Sequence, residues 1–160
     1  MAEARIFKDL KRDHDKHRIL LDNIADTKGD SEERRTLFEE LRTELQAHAA
    51  AEEEALYATM LKDPDLRDSA RHSVSEHKEI DDMLGELLDA DMANGAWLTK
   101  FKQLSHRYLH HIDEEEEEMF PEAEAGLSAA EEKQAAETFE KRKPRELEIA
   151  AEDKPGDDRD

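Results

Sequence analysis

The sequence predicts an all-α protein, an up-down-up-down four-helix bundle with a short C-terminal fifth helix. Three observations carry that prediction. The 160 residues are rich in Ala, Glu, Leu, Lys and Arg, and Val occurs once, at Val74, so strands would lack their usual β-branched residues. Apolar residues recur at steps of three and four over four long stretches. Short connections between these stretches favour neighbouring helices that alternate in direction.

The first stretch runs Ile6, Leu10, His14, His17, Leu20, Leu21 and Ile24, with histidine at its central inward positions. Lys28-Gly29-Asp30 is a stop, with Gly29 suited to the C′ position, and Asp30 or Ser31 can cap the next helix. That helix carries Phe38, Leu41, Leu45, His48, Glu52 and Leu56 and ends near Leu61, because Pro64 disfavours helix at Asp63. Asp63 then caps a third helix with Pro64 in its first turn. Leu66, Ala70, Val74, His77, Ile80, Leu84, Leu87 and Leu88 follow, up to a stop at Asn94-Gly95. The fourth helix presents Phe101, Leu104, Tyr108, His111, Glu115 and Met119, with Pro121 near its end. Residues 1–123 form the bundle on this reading. Residues 124–143 hold a short helix opened by the capping box Ser128-Ala-Ala-Glu131, and the polar stretch 144–160 is a disordered tail.

The totals exclude several classes. A formal charge of −20 repels nucleic-acid phosphates and anionic membrane surfaces alike, and no basic stripe offsets it. There is no cysteine, which removes disulfide, thiolate and iron–sulfur chemistry. No apolar run is long enough for a signal peptide or a membrane span, so a cytoplasmic location is the default expectation.

Chemistry concentrates in two H-x3-E steps, His48/Glu52 and His111/Glu115, set 63 positions apart. Four residues separate each pair, which stacks both side chains on one helix face. The same offset superposes His14 on His77, Leu21 on Leu84, Ile24 on Leu87, Phe38 on Phe101, Leu41 on Leu104 and Tyr57 on Phe120. The chain is thus an internal repeat of two helix–turn–helix halves. His14, His48, His77 and His111 each have a partner at 63; His17, His72, His106 and His110 do not. Six polar groups in a bundle core would be costly unless a metal used their lone pairs. Glu52 and Glu115 are the inward members of two glutamate runs, most of whose other members read as solvated surface, with Glu118, near one turn beyond Glu115, as an extra candidate. Imidazole and carboxylate without sulfur suit iron, manganese, zinc or copper, and two equivalent half-sites point to two metals bridged by the glutamates. The ferritin-like di-iron arrangement needs Glu-x-x-His, and no histidine here has glutamate three residues before it.

The combined pattern resembles the hemerythrin-like, or HHE cation-binding, family. His14 is followed by His48-Ala-Ala-Ala-Glu52-Glu53 with Leu56-Tyr57, and His77 by His111-Ile-Asp-Glu-Glu115-Glu116 with Met119-Phe120, so the resemblance spans roughly residues 6–121. It implies two non-haem iron ions (Fe2+/Fe3+), oxo- or hydroxo-bridged, inside the bundle. The matching ligands are His14, His48, Glu52, His77, His111 and Glu115. Oxygen-carrying members have a further histidine one turn before the third-helix ligand; here that position is Ser73, with His72 and His106 as out-of-register substitutes. Tyr57 and Tyr108 read as core aromatics, with a hydrogen-bonding role at the site as the alternative.

This resemblance implies a protein that binds or reacts with a small oxidant: O2, hydrogen peroxide or NO. Peroxide breakdown is the most concrete enzymatic form. The alternative is non-enzymatic iron or oxygen sensing, or metal buffering, in which occupancy orders the bundle.

Overall fold

A computed structural model of the protein describes residues 3–152. Helix α1 spans Arg5–Ala25 and buries Ile6, Leu10, His14, His17, Leu21 and Ile24 along the expected stripe. It ends earlier than Gly29: the Thr27 hydroxyl turns back to donate to the Ile24 carbonyl at 2.6 Å. Gly29 instead shapes the connection, at a φ of +59° that favours glycine. The Ser31 hydroxyl caps α2 (Glu32–Glu52) by accepting from the Arg34 amide at 3.1 Å.

Helix α2 does not end where its regular geometry does. It passes through a π-helical turn, Glu53–Tyr57, into a last α-turn, Ala58–Met60. The third helix, α3, starts at Arg67 and runs to Asp89, later than Asp63-Pro64 predicted. The Asp63 carboxylate accepts from the Asp65 amide at 2.9 Å, closing a local turn that competes with helix capping. Asn94 also departs from expectation. It caps the following helix, α4 (Gly95–Glu114), by accepting from the Ala96 amide, and does not end α3.

Helix α4 enters its own π-helical turn, Glu115–Met119, and continues over Phe120–Gly126, past Pro121. Pro121 lies in the first turn after the widened segment, where a missing N–H costs little.

The fifth helix corrects the sequence reading most. Ser128 and Glu131 form the reciprocal capping box, with bonds of 3.1 and 2.9 Å. The helix, α5, runs Ala129–Glu152 with Pro144 inside it, so the tail expected from residue 144 is helical as far as Glu152. Its last turns are anchored from outside. Ala150 is buried, and the buried Arg42 guanidinium donates to the Ala150 carbonyl at 3.0 Å. The rest of the expected tail, 153–160, lies outside the described residues.

Among the described residues there are five helices and no strand. Helix α1 packs against α2, α4 and α5, α3 packs against α4, and α5 lies along α2. Two apolar clusters result. One gathers Phe7, Leu10, Leu56, Met60, Phe120 and Phe139; the other gathers Leu21, Phe38, Leu41, Leu84, Trp97 and Phe101. The paired histidines fall in sequence between the residues of the two clusters on α1, α2 and α3, and on α4 only Ile112 of the second cluster follows His111 before the first begins at Met119. At the far end of the second cluster, buried Arg34 donates to the Thr27 hydroxyl and carbonyl, each at 2.8 Å, and to the Met92 carbonyl at 3.0 Å. Its guanidinium also stacks over the Trp97 ring, 4.8 Å from the centroid, so one side chain ties the α1–α2 and α3–α4 connections together. No helix among the described residues is long and apolar enough to cross a membrane.

Candidate metal centre

One histidine from each of α1, α2, α3 and α4 reaches the polar layer between the clusters. His14, His48, His77 and His111 are all buried, as are Glu52 and Glu115. The inner ring nitrogens face the two glutamates. His14 Nε2 lies 3.1 Å from Glu115 Oε1, and His111 Nε2 lies 3.9 Å from Glu115 Oε2. His48 and His77 place Nε2 at 3.4 and 3.5 Å from Glu52 Oε1. The structure therefore brings together all six residues singled out from the repeat.

The outer ring nitrogens are held by carboxylates, and the pattern obeys the repeat. Asp13 holds His48 Nδ1 at 2.8 Å, and its counterpart Glu76 holds His111 Nδ1 at 2.7 Å. Glu53 holds His77 Nδ1 at 2.8 Å, and its counterpart Glu116 holds His14 Nδ1 at 2.7 Å. Each orienting carboxylate is adjacent in sequence to one of the six residues and serves another. Glu53 and Glu116, read as solvated surface, are thus working parts of the site. Such partners fix ring orientation and raise the basicity of the inner nitrogen.

Ordinary helix geometry accounts for that correction. Consecutive residues point about 100° apart, so with Glu52 and Glu115 inward, Glu53 and Glu116 stand on the flanks of their helices, partly exposed, and from there reach His77 on α3 and His14 on α1. The backbone is regular at Glu52, Glu53 and Glu115, and each helix widens in the turn that follows. Within a run of glutamates no composition cue marks which flank member meets a histidine of another helix.

Burial alone would discharge His14, His48 and His77; the carboxylates reverse that. Burial opposes the charged ring of His14, but Glu115 and Glu116 lift it to about 9. Burial likewise opposes His77, and Glu52 with Glu53 lifts it to about 10. His48 is raised by Asp13 and Glu52 against the same burial. Burial alone would raise Glu52, but His48 and His77 hold it well below the ordinary carboxylate range. Even so, His14 Nε2, His48 Nε2, Glu115 Oε1 and both oxygens of Glu52 have no hydrogen-bond partner among the described residues. Buried lone pairs left over in this way fit a cation placed among them. Ligand atoms of His14, His48 and Glu115, and of His77, His111 and Glu115, lie within 4.8 Å of one another, so both halves offer a three-residue set.

Both tyrosines belong to the site. The Tyr57 hydroxyl donates to Glu115 Oε2, and burial followed by the Glu115 and Glu52 charges keeps the phenol well above its ordinary range. The Tyr108 hydroxyl meets His17 Nδ1 at 2.7 Å, and His17 Nε2 meets Glu44 Oε1 at 3.2 Å. Fully buried His17, unpaired in the repeat, also sets its ring edge-on against His48, 5.2 Å between centroids. Burial pushes His17 down to about 4, the opposite direction to His14, His48 and His77. Its place on the inward stripe of α1 is the sequence signal for it, and its lack of a counterpart 63 positions on, where Ile80 stands, is what hides it.

Ser73 is buried and donates to the Met119 sulfur at 3.1 Å. Neither proposed substitute reaches the centre. His72 is exposed, with Nε2 3.0 Å from Glu114, and His106 is exposed, lining a surface hollow with Glu79 and Arg107. Helix α5 closes one flank: the Phe139 ring packs edge-on against His48 at 5.8 Å, and Lys143 donates to Asp13 at 2.7 Å.

No curated protein matches the chain. Among solved structures, a hemerythrin HHE cation-binding domain-containing protein from Mycobacterium kansasii is similar. It is 25% identical, with 93% of this chain and 90% of that chain covered and a TM-score of 0.78. The family model for the hemerythrin HHE cation-binding domain matches residues 5–123, spanning both halves of the repeat. The chain belongs to the hemerythrin HHE cation-binding domain family.

Proposed function

We propose that this is a non-haem di-iron protein that binds or reacts with a small oxidant, with peroxide breakdown as its enzymatic form. One observation carries the reading: four imidazoles from four helices turn their inner nitrogens on two buried carboxylates that lack enough donors. His14, His48 and Glu115 would hold one iron, His77, His111 and Glu115 the other, with Glu52 joining His48 and His77 across the centre. The paired packing of α1 with α2 and of α3 with α4, joined by short connections, supports an up-down-up-down arrangement around it. Bound iron supplies one-electron redox chemistry at two adjacent positions.

The chain's own groups govern access and protons. A cavity of about 520 Å³ between α2 and α3 reaches His48, His77 and Tyr108. Leu45, Ala49, Val74 and Ile80 line it, a surface suited to a small neutral molecule. The Tyr57 hydroxyl, beside Glu115, can donate to a ligand at the centre or return to the carboxylate. Peroxide serves as its own oxidant and reductant and yields water and dioxygen, so no electron donor is needed. A sensing or buffering role is the second reading. It is favoured by the unsatisfied buried groups, which make the metal-free core costly and couple occupancy to folding.

Anaerobic iron loading should give about two iron ions per chain. Undiminished retention in a His48→Ala/His111→Ala double variant would overturn the site. Peroxide added to the di-ferric protein separates the two readings: dioxygen evolution supports catalysis, and an unchanged spectrum without dioxygen supports the binding role.

A further inference from the structure

A second cavity, about 410 Å³, opens between α3 and α4 on a different side of the centre from the apolar one. Its wall carries Asp68, Glu76, Glu114, Glu118 and Glu122, and no lysine or arginine lines it. His111 and Glu115 also belong to the wall. Glu115 is buried; its Oε2 lies 3.9 Å from His111 Nε2 and accepts from Tyr57, while Oε1, on the His14 side, finds no donor among the described residues. Toward solvent, ligand atoms of His72, Glu76 and Glu114 lie within 4.8 Å of one another. His72 Nε2 sits 3.0 Å from Glu114 Oε1 and 3.3 Å from Glu76 Oε2. The side chains grade inward from 57% exposed at His72 through 31% at Glu114 to 6% at Glu76.

Glu76 joins the outer group to the inner one. Its Oε1 holds His111 Nδ1 at 2.7 Å, while Oε2 faces His72 and, at 3.1 Å, Arg107. Arg107 also pairs with Glu79 at the rim, outside the cavity wall. The repeat-related opening is different. There Asp13, the counterpart of Glu76, accepts from Lys143 at 2.7 Å, and α5 packs over α1 and α2. His72 and Glu114 have Asp9 and Ala51 at the corresponding places; Asp13 gathers instead with buried His17 and Glu44, where the Lys143 ammonium already donates to both carboxylates.

We infer that His72, Glu76 and Glu114 form an outer divalent-cation site that captures a hydrated metal ion and passes it along the acidic cavity to His111 and Glu115. A cavity walled by one sign of charge concentrates counter-ions and raises their rate of arrival. The exposed imidazole and carboxylates exchange water for ligand at the mouth. His111 Nε2 and Glu115 Oε2, 3.9 Å apart, stand at the inner end. The delivery role rests on the reading of the inner set as the metal centre; the outer site does not.

The test uses the full-length metal-free protein with Co2+, titrated anaerobically and followed by its visible absorption. The wild-type protein should show one site weaker than those of the centre. His72→Ala/Glu114→Gln should lose that weaker site alone, keep its helical circular dichroism and its final iron content, and take up limiting Fe2+ roughly tenfold more slowly. Raising the salt concentration should slow uptake in the wild type more than in the variant. Identical Co2+ titrations and identical Fe2+ uptake rates in the two proteins would overturn the inference. A His14→Ala/His48→Ala protein separates this from failure of the centre. Persistence of the weaker site there supports an independent outer site, and its disappearance overturns one. Wild-type protein that binds Co2+ only weakly, and loses it in His72→Ala/Glu114→Gln, would leave the outer site standing while the centre falls.

Discussion

Asp13 on α1 holds His48 on α2 through a 2.8 Å bond to Nδ1, although its sequence neighbour His14 is itself one of the six inward residues. The ring of His48 is therefore aimed from another helix. Asp13→Ala removes that support without touching any of the six residues. It should weaken iron binding by roughly 10–100-fold, measured by competition with a chelator, while the far-ultraviolet circular dichroism stays unchanged. Unaltered affinity would mean that packing against Phe139 and His17 suffices to aim the ring.

The metal-free fold should have a defined pH window. His14 and His77 are raised from 6.5 to about 9 and about 10, so their ion pairs stabilise fully below pH 6.5 and are lost as pH rises through those values. His17 has the opposite sign: lowered from 6.5 to about 4, it costs stability as pH falls from 6.5 toward 4. Thermal melts of the metal-free protein should peak near pH 6.5 and decline on both sides. Iron loading replaces the protons on the inner nitrogens, so it should release protons at neutral pH and flatten the alkaline decline. A melting temperature that still rises from pH 7 to 10 without metal would contradict the charge states assigned to these rings.

Tyr57→Phe deletes the hydroxyl that donates to Glu115 and leaves the ring in place. The metal-free protein should lose about 1–3 kcal/mol, read from denaturant unfolding, because a buried carboxylate forfeits a donor. Iron content should stay the same, and the reaction of the loaded protein with peroxide should slow. Equal stability and equal reaction would reduce Tyr57 to a core aromatic.

Helix α5 should prove part of the centre's support. Phe139 is buried between the first apolar cluster and His48, so Phe139→Ala should cost about 3–5 kcal/mol. It should also speed iron loss to a chelator, since the α1–α2 flank is then uncovered. Wild-type iron release in this variant would confine α5 to a stabilising role.

These particulars show which parts of the molecule a sequence can express. The repeat aligned His14 with His77 and His48 with His111, and the structure does bring these residues together with Glu52 and Glu115. Periodicity works there because inward residues recur at a fixed step. Glu53 and Glu116 escaped because they reach His77 and His14 from the flanks of their helices, and a run of glutamates hides which member has such a partner. His17 escaped because a symmetry test selects only what is duplicated, and its partners Tyr108 and Glu44 are not. Helix α5 outran its reading at Pro144 because the contacts that hold Ala150, above all Arg42, come from a helix about a hundred positions earlier.

The widened turns make chain length, as well as residue identity, a determinant of this site. Each absorbs one extra residue within a single turn, so the α-segments on its two sides keep a common phase. Removing one alanine from the regular part of α2, Ala50, would lose almost no helix. Yet it would turn Glu52, Tyr57 and Met60 by about 100° relative to His48, leaving a protein with normal circular dichroism and a dismantled centre. A point substitution at the same position, Ala50→Ser, keeps the phase and should be far milder.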